Sequence, residues 1–522
     1  MRLWLLALAL VALPARSQPA GPPAYWIVVD ATVDAPNVTP RALERRALRG
    51  TPGTATDRAL APEARTALER LGVEIRVESR WFGAVSAVLS DAQREAVAAL
   101  PFVREVRPLG RMVSTDAAPT LPLADAARTA SPVLIDYGPS ATQLGLVHAD
   151  ALIEAGYTGV GVRVGFLDTL FDFTHPALAE ILSSGRLRGL RDFIGGTQTS
   201  YHGLATTSVT FGNDEGHLIG PAFSADVLAG TTEYAPTETH AEEDAFVAGL
   251  EWMEANGADV VNVSLGYTEF DPGEGDYTYA DLDGNTAIVT RAVDRAASHG
   301  LIVVVSAGNE GASPWRTIGA PADADSAIVV AAVTASGTRA SFSSVGPTAD
   351  GRLKPDVAAQ GVSVVVANTS GGYSTSNGTS FSAPMVTGIV AQLLQARPSL
   401  TPIQVRDLLR STASQAAAPD SLLGWGIANA KAAFDALGTF LAAPPETDWR
   451  LYPSVARPGA VLTIETQRAM ELDVLDLTGR IVARLGAVRG RRAVEVPDLP
   501  TGLYLVRPSD GSGDALRLAV VR

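Results

Sequence analysis

The 522-residue chain contains no cysteine, which removes disulfides, thiolate metal ligands, iron–sulfur clusters and a thiol nucleophile together. Lysine is nearly absent. Lys354 and Lys431 are the two lysines among 41 basic residues, so Schiff-base chemistry has few candidates. Positive charge is outnumbered, 41 Lys and Arg against 56 Asp and Glu, and the net −15 argues against a partner rich in phosphate. No uncharged apolar run reaches the ~20 residues that cross a bilayer, and Gly (49) and Pro (33) follow no fibrous period. What remains is 46% hydrophobic, too apolar for disorder, in a chain long enough for roughly three domains.

Met1-Arg2, an apolar run from Leu3 to Leu13 and then Pro14-Ala15-Arg16-Ser17 have the layout of a secretory signal over residues 1–17. Residues 18–110 read as a small α+β domain. Tyr25–Val29, Val73–Val77 and Ala84–Leu89 have strand character, and helical spacing runs through Thr39–Arg49, Ala61–Leu71 and Asp91–Leu100. Residues 111–135 are small, polar and Pro-containing, and read as an exposed linker suited to proteolytic processing.

From 136 to 440 apolar runs alternate with helical stretches such as Glu242–Asn256 and Ala287–Ser298. The runs are Val162–Leu167, Ala225–Ala229, Asp259–Val263, Leu301–Val305, Ala327–Val333 and Val362–Val366, and they predict a mostly parallel sheet covered on both faces. A linker at 441–449 precedes residues 450–522, whose short strand-like runs between turn signals predict a small all-β sandwich. This tail holds 11 Arg against 8 acids, a net of +3 in a chain of −15.

Open parallel sheets place their sites at the carboxyl ends of the strands. Three expected strands run into polar residues there: Asp168, then Ser264-Leu265-Gly266, then Ser306-Ala307-Gly308-Asn309. The strongest local signal is Asn377-Gly378-Thr379-Ser380-Phe381-Ser382-Ala383-Pro384, followed by apolar residues at helical spacing. Pro384 is expected in the first turn, and Ser380 then sits at a helix N-terminus, where free N–H groups stabilise developing negative charge. A serine nucleophile needs a base. His202, followed by Gly203, is the leading candidate of six histidines, with His175 in Thr174-His175-Pro176 a weaker one.

With these motifs the chain resembles the subtilisin-like serine proteases, the subtilases. The likeness is carried by Val164-Gly165-Phe166-Leu167-Asp168-Thr169, His202-Gly203, Ser264-Leu265-Gly266, Ala307-Gly308-Asn309-Glu310-Gly311 and Gly378-Thr379-Ser380. It implies an α/β, three-layer fold over 136–440, with Ser380 as nucleophile, His202 as general base and Asp168 orienting the imidazole. It also implies an oxyanion hole from Asn309 and the Ser380 N–H. Substrate backbone is expected along Ser264, Leu265 and Gly266, with Ser306, Ala307 and Gly308 walling the pocket. Activity is then expected to rise as the imidazole loses its proton, near 6.5 for an unperturbed histidine. No cofactor is implied for the chemistry. Structural calcium is a family feature that Asn213-Asp214-Glu215 and Glu242-Glu243-Asp244 could touch but do not define.

Residues 18–110 resemble subtilase propeptides through Trp81-Phe82-Gly83-Ala84-Val85 and Leu100-Pro101-Phe102-Val103, which implies an inhibitor acting in cis. The tail resembles type IX secretion sorting domains through Leu451-Tyr452-Pro453, Asp473–Arg480 and Leu499–Val506, which implies secretion machinery as a partner. The sequence thus predicts a secreted or cell-surface serine endopeptidase made as a precursor, acting on proteins or peptides. Two departures keep alternatives open. Leu170 and Leu204 stand where the family places Gly and Thr, so a catalytically altered binding or adhesion protein, or a peptide ligase or cyclase, is the competing reading.

Overall fold

The protein is represented by a computed structural model that describes residues 24–34, 38–51, 57–108, 121–122, 135–195, 200–237, 239–272, 274–437, 449–452, 455–456, 458–476, 480–500, 502–510 and 516–520. The expected signal (1–17), nearly all of the 111–135 linker and most of the 441–449 linker lie outside these residues. The chain divides into two units, residues 1–436 and 437–522.

The first unit opens with a four-stranded antiparallel sheet ordered β2-β3-β1-β4, formed by β1 (Ala24–Val29), β2 (Ile75–Ser79), β3 (Ala84–Val88) and β4 (Val103–Pro108). Three helices accompany it: α1 (Pro40–Leu48), α2 (Pro62–Arg70) and α3 (Asp91–Ala98). Thr39 caps α1 by accepting from the Ala42 N–H, and Ser90 with Gln93 forms a capping box on α3. The period-2 alternation of β1 divides its side chains between two cores. Tyr25, Ile27 and Val29 join Leu68, Val85 and Val97, while Trp26 joins Trp81, Phe246 and Leu250 in the core of the larger domain.

That larger domain is built on seven parallel strands: β5 (Arg163–Asp168), β6 (Leu187–Asp192), β7 (Asp226–Thr231), β8 (Val260–Val263), β9 (Ile302–Ser306), β10 (Ile328–Val333) and β11 (Val357–Gln360). Their order is β11-β10-β9-β8-β5-β7-β6, with every pair parallel. Central strands such as β9 and β10 are buried at every position, as strands covered on both faces require. The helices that matter for function are α4 (His202–Phe211), α5 (His240–Ala255), α6 (Ile288–Ser298) and α7 (Thr379–Ala396). The domain is α/β with a mostly parallel sheet, as expected, but one expected strand leaves the sheet and two others enter it. The run expected at Val362–Val366 forms Val364–Ala367, which leaves the sheet and pairs antiparallel with Tyr373–Ser376. The edges belong instead to β11, whose Val-Ala-Ala-Gln is too small to stand out, and to β6, whose Arg188, Arg191 and Asp192 are the exposed charges of an edge strand.

The second unit is all-β. Several expected short strands merge into two 15-residue strands, Val461–Leu475 and Ile481–Glu495, that pair through three register shifts. With Trp449–Tyr452, Val455–Ala456, Gly502–Pro508 and Leu516–Val520 they form one six-stranded sheet rather than two separate ones. The bulges bend the long pair, so that Leu462 and Ile464 from one half share a core with Leu472 and Val474 from the other.

Candidate active site

Asp168 ends β5, and its side chain is fully buried. Oδ1 accepts from His202 Nδ1 at 2.8 Å and from the Thr169 N–H at 2.7 Å, while Oδ2 accepts from Thr206 Oγ1 at 2.9 Å. These donors fix the plane of the carboxylate, and the imidazole is thereby held with Nδ1 inward. His202 is the first residue of α4, its side chain 27% exposed toward a cleft of about 490 Å³.

Ser380 lines the same cleft as the second residue of α7, where the backbone N–H groups have no partner within the helix. Its Oγ lies 3.5 Å from the Ser264 carbonyl oxygen. Pro384 is in the second turn of α7, not the first as the sequence suggested. A proline there removes the N–H that the Ser380 carbonyl would accept, and Ser264 Oγ donates to that carbonyl instead, at 2.9 Å. The helix break is therefore repaired by the cleft wall. Ser264 Oγ in turn accepts from Asn262 Nδ2 at 2.9 Å, which ties the helix of Ser380 to the end of β8.

Asn309 follows β9, and its Oδ1 accepts from the Thr379 N–H at 2.9 Å and from Thr379 Oγ1 at 3.1 Å. With the carbonyl end of the amide occupied, Nδ2 is the end left to donate into the cleft beside Ser380. Ser264, Leu265, Gly266, Ser306, Ala307 and Gly308 line the cleft together. Gly308 has φ +99°, and a Cβ there would lie 2.9 Å from Ser344 Oγ, so the wall needs glycine at this point. His175 is elsewhere, buried with Nε2 2.9 Å from the Gly372 carbonyl and its ring edge-on to Tyr373.

Residues 159–426, half of the chain, match the Subtilase family, and residues 29–120 match the Peptidase S8 propeptide domain of Bacteroidota. The chain is 36% identical over 302 residues to Subtilisin DY of Bacillus licheniformis, covering 55% of this chain and 96% of that protein. It is 35% identical over 295 residues to Subtilisin of Bacillus pumilus, with 55% and 96% covered. Against Subtilisin NAT of Bacillus subtilis subsp. natto it is 36% identical over 276 residues, with 51% and 64% covered.

The chain belongs to the subtilase family. It is a serine endopeptidase made with a propeptide, and it needs no cofactor for its chemistry.

The two departures from the subtilase pattern are accommodated by the backbone. Leu170 is not among the residues with positive φ, so its position does not require glycine. Its carbonyl accepts from the Leu204 N–H at 3.0 Å and its N–H donates to the Ser200 carbonyl at 3.2 Å, which brackets the start of α4. Leu204 is fully buried under that turn. The acidic runs considered for calcium are engaged otherwise. Asp214 accepts from the Tyr373 hydroxyl, Glu242 caps α5 with Thr239, Glu243 pairs with His240 and accepts from the Tyr277 hydroxyl at 2.8 Å, and Asp244 faces Arg76 at 3.4 Å. Among the described residues no cluster of three or more His, Asp or Glu could hold a metal.

Sequence reasoning missed two acids of the cleft, Glu269 and Glu233. Glu233 follows β7, and the Tyr267 hydroxyl donates to its Oε1 at 2.7 Å and the Thr232 hydroxyl at 3.2 Å. Burial pushes its pKa up to about 7, opposed by these hydroxyls and assisted by the charge of Asp168. A single Glu in Thr231-Thr232-Glu233-Tyr234 carries no motif, and only the parallel register Thr231↔Asp168 reveals that it adjoins the strand that ends in Asp168.

Proposed function

We propose that Ser380, His202 and Asp168 act as the nucleophile, general base and orienting acid of peptide-bond hydrolysis, and that Asn309 Nδ2 and the Ser380 N–H receive the oxyanion. The single observation that carries this is the Asp168–His202 contact opening into the cleft that also holds Ser380 at the start of a helix. Ser380 Oγ attacks the scissile carbonyl as His202 Nε2 takes its proton. The tetrahedral oxygen gains hydrogen bonds that the planar carbonyl makes poorly, which lowers the barrier. His202 then returns the proton to the leaving amine, and a water molecule repeats the sequence on the acyl-enzyme. Asp168, buried and hydrogen-bonded on both oxygens, keeps the imidazole in the tautomer that presents Nε2 as acceptor. Substrate backbone adds as a strand along Ser264-Leu265-Gly266, with a pocket bounded by Ser306-Ala307-Gly308.

The precursor is exported through the signal at 1–17, processed within 111–135 and delivered to the exterior or cell surface, with residues 450–522 addressing a type IX secretion machinery. The Arg-rich β tail with its Leu499–Val506 motif supports that last role, and the absence of a described helix long and apolar enough to cross a membrane is compatible with it. Ser380→Ala tests the chemistry. Peptide hydrolysis and labelling by an active-site phosphonate should both disappear, and secreted wild type should begin at a new N-terminus within 111–135 that the variant lacks. Labelling that survives in Ser380→Ala refutes the assignment, and secretion unchanged on deletion of 450–522 refutes the sorting role.

A further inference from the structure

Glu233 is a buried carboxylate that no Lys or Arg among the described residues pairs with, and the titratable cation near it is His202. Its residue is 6% exposed, yet it lines the substrate cleft beside Ser200 and His202. Both of its described hydrogen bonds, from Tyr267 and Thr232, fall on Oε1. Among the described residues no Lys or Arg forms an ion pair with it and none lines the cleft, whereas Glu269 and Glu310 line it too. Buried charges are ordinarily paired, because desolvation of an isolated carboxylate is expensive. Here the missing cation has a route in, through the space where substrate lies.

The direction of approach follows from strand geometry. A substrate extended along Ser264-Leu265-Gly266 alternates its side chains between two sides. The side chain next to the scissile carbonyl enters the wall of Ser306-Ala307-Gly308. The second and fourth side chains ahead of the bond then turn to the other side, toward His202 and the end of β7. Glu233 waits there, one residue beyond the strand pair Thr232 N–H to Asp168 carbonyl, 3.0 Å. Tyr267 clamps Oε1 and is itself 1% exposed, packed edge-on against Phe246, so the carboxylate is positioned rather than free to swing away.

We propose that Glu233 selects peptides carrying Lys or Arg at the second or fourth residue before the cleaved bond, by ion-pairing that side chain inside the cleft. This rests on the endopeptidase reading of the same cleft. An ion pair formed in a partly desolvated site favours the basic substrate by about tenfold or more. The preference depends on ionised Glu233. With its pKa raised to about 7, the acid is charged above that pH and neutral below it, so selectivity should grow between about pH 6 and 8.5.

The test is a positional library of fluorogenic tetrapeptides cleaved by the mature enzyme, read as the ratio of kcat/KM for Lys or Arg against a neutral residue of similar length at each position. Wild type should show a ratio of about ten or more at the second or fourth position, rising with pH through 7. Glu233→Gln should bring that ratio close to one, with the neighbouring positions keeping their own ratios. If the variant does not mature, the pH dependence of the wild-type ratio carries the test alone. Hydrolysis and phosphonate labelling without a basic preference at either position, or a preference that is flat with pH and survives Glu233→Gln, overturns the role of Glu233 and leaves the endopeptidase assignment standing. No hydrolysis and no labelling of the wild type overturns both.

Discussion

Glu254 of α5 is the residue whose loss should most weaken the grip of the propeptide. Its side chain is fully buried, and three arginines of the N-terminal domain converge on it. Arg46 donates through Nε at 2.8 Å and Nη2 at 2.7 Å, Arg80 through Nη2 at 2.6 Å, and Arg45 through Nη2. Burial alone would raise the Glu254 pKa, but the Arg46 hydrogen bonds and the charges of Arg45 and Arg80 overcome it and hold the group down at about 2. Its contribution is therefore present above the ordinary carboxylate range and is lost only as pH falls toward that value. Glu254→Gln keeps the shape and leaves three guanidinium groups without their shared anion. Breaking a buried pair by removing one partner costs about 3–5 kcal/mol. Asp57 still pairs with Arg46 and Arg80, which argues for the lower end, about 3 kcal/mol or a factor of roughly 10². The assay is the recovery of activity after the processed but undissociated complex is diluted into a fluorogenic peptide. The propeptide should leave about 10²-fold faster from Glu254→Gln at pH 7. A rate within about threefold of wild type would refute the view that these charges hold the interface.

Four further outcomes follow from the same contacts. Glu251 accepts from Ser79 and from the Arg80 and Trp81 N–H groups, and burial pushes its pKa up to about 7. The complex therefore favours its protonated form, a contribution held below the ordinary carboxylate range and lost as pH rises through 7, so propeptide release should accelerate from pH 5 to 8 and Glu251→Gln should flatten that profile. On the proposed oxyanion role, Asn309→Leu should lower kcat by about 10²–10³ with little change in KM. Gly203→Ala places a Cβ 2.7 Å from the Leu170 carbonyl oxygen and 3.0 Å from the Phe171 ring, so α4 must shift with His202, and turnover should fall further than thermal stability measured by calorimetry. Lys354 is 1% exposed, with Nζ 2.9 Å from Asp356 and 2.8 Å from the Ala327 carbonyl, and Lys354→Ala should lower the unfolding free energy in urea by about 3 kcal/mol or more.

What could be read from the chain differs by element for physical reasons. The strands β5, β8, β9 and β10 are apolar runs because both faces are covered, and Asp168, Ser264 and Asn309 follow from where those runs stop. Ser380 was legible because a glycine, a serine and a helical apolar spacing coincide over a few residues. The edges were not: β6 holds Arg188, Arg191 and Asp192 among its six residues, and β11 is a short Val-Ala-Ala-Gln. Pro384 misled, because its cost in the second turn is met by Ser264, which is 116 residues from Ser380 along the chain. Glu233 was invisible for the same reason. Its meaning lies in a hydroxyl from Tyr267 and a strand register, neither of which leaves a local pattern.

Further charges of the N-terminal domain lie at the entry end of the sheet. Arg49 of that domain donates to the Gly300 carbonyl at 2.6 Å and to Asp259 at 3.0 Å, and Arg41 reaches Asp259 at 2.6 Å and the Gly161 carbonyl at 2.9 Å. Gly161, Asp259 and Gly300 stand just before β5, β8 and β9, at the end of the sheet opposite to Asp168 and Ser264. The helix Pro40–Leu48 and the turn after it thus pin together the entry points of three adjacent parallel strands whose partners are far apart in sequence. Parallel pairing is slow because each contact closes a long loop before it is rewarded. A domain synthesised first that gathers three strand entries removes part of that cost during folding. Once the central strands are packed, their own burial sustains the register, and the arginines can leave without the sheet coming apart.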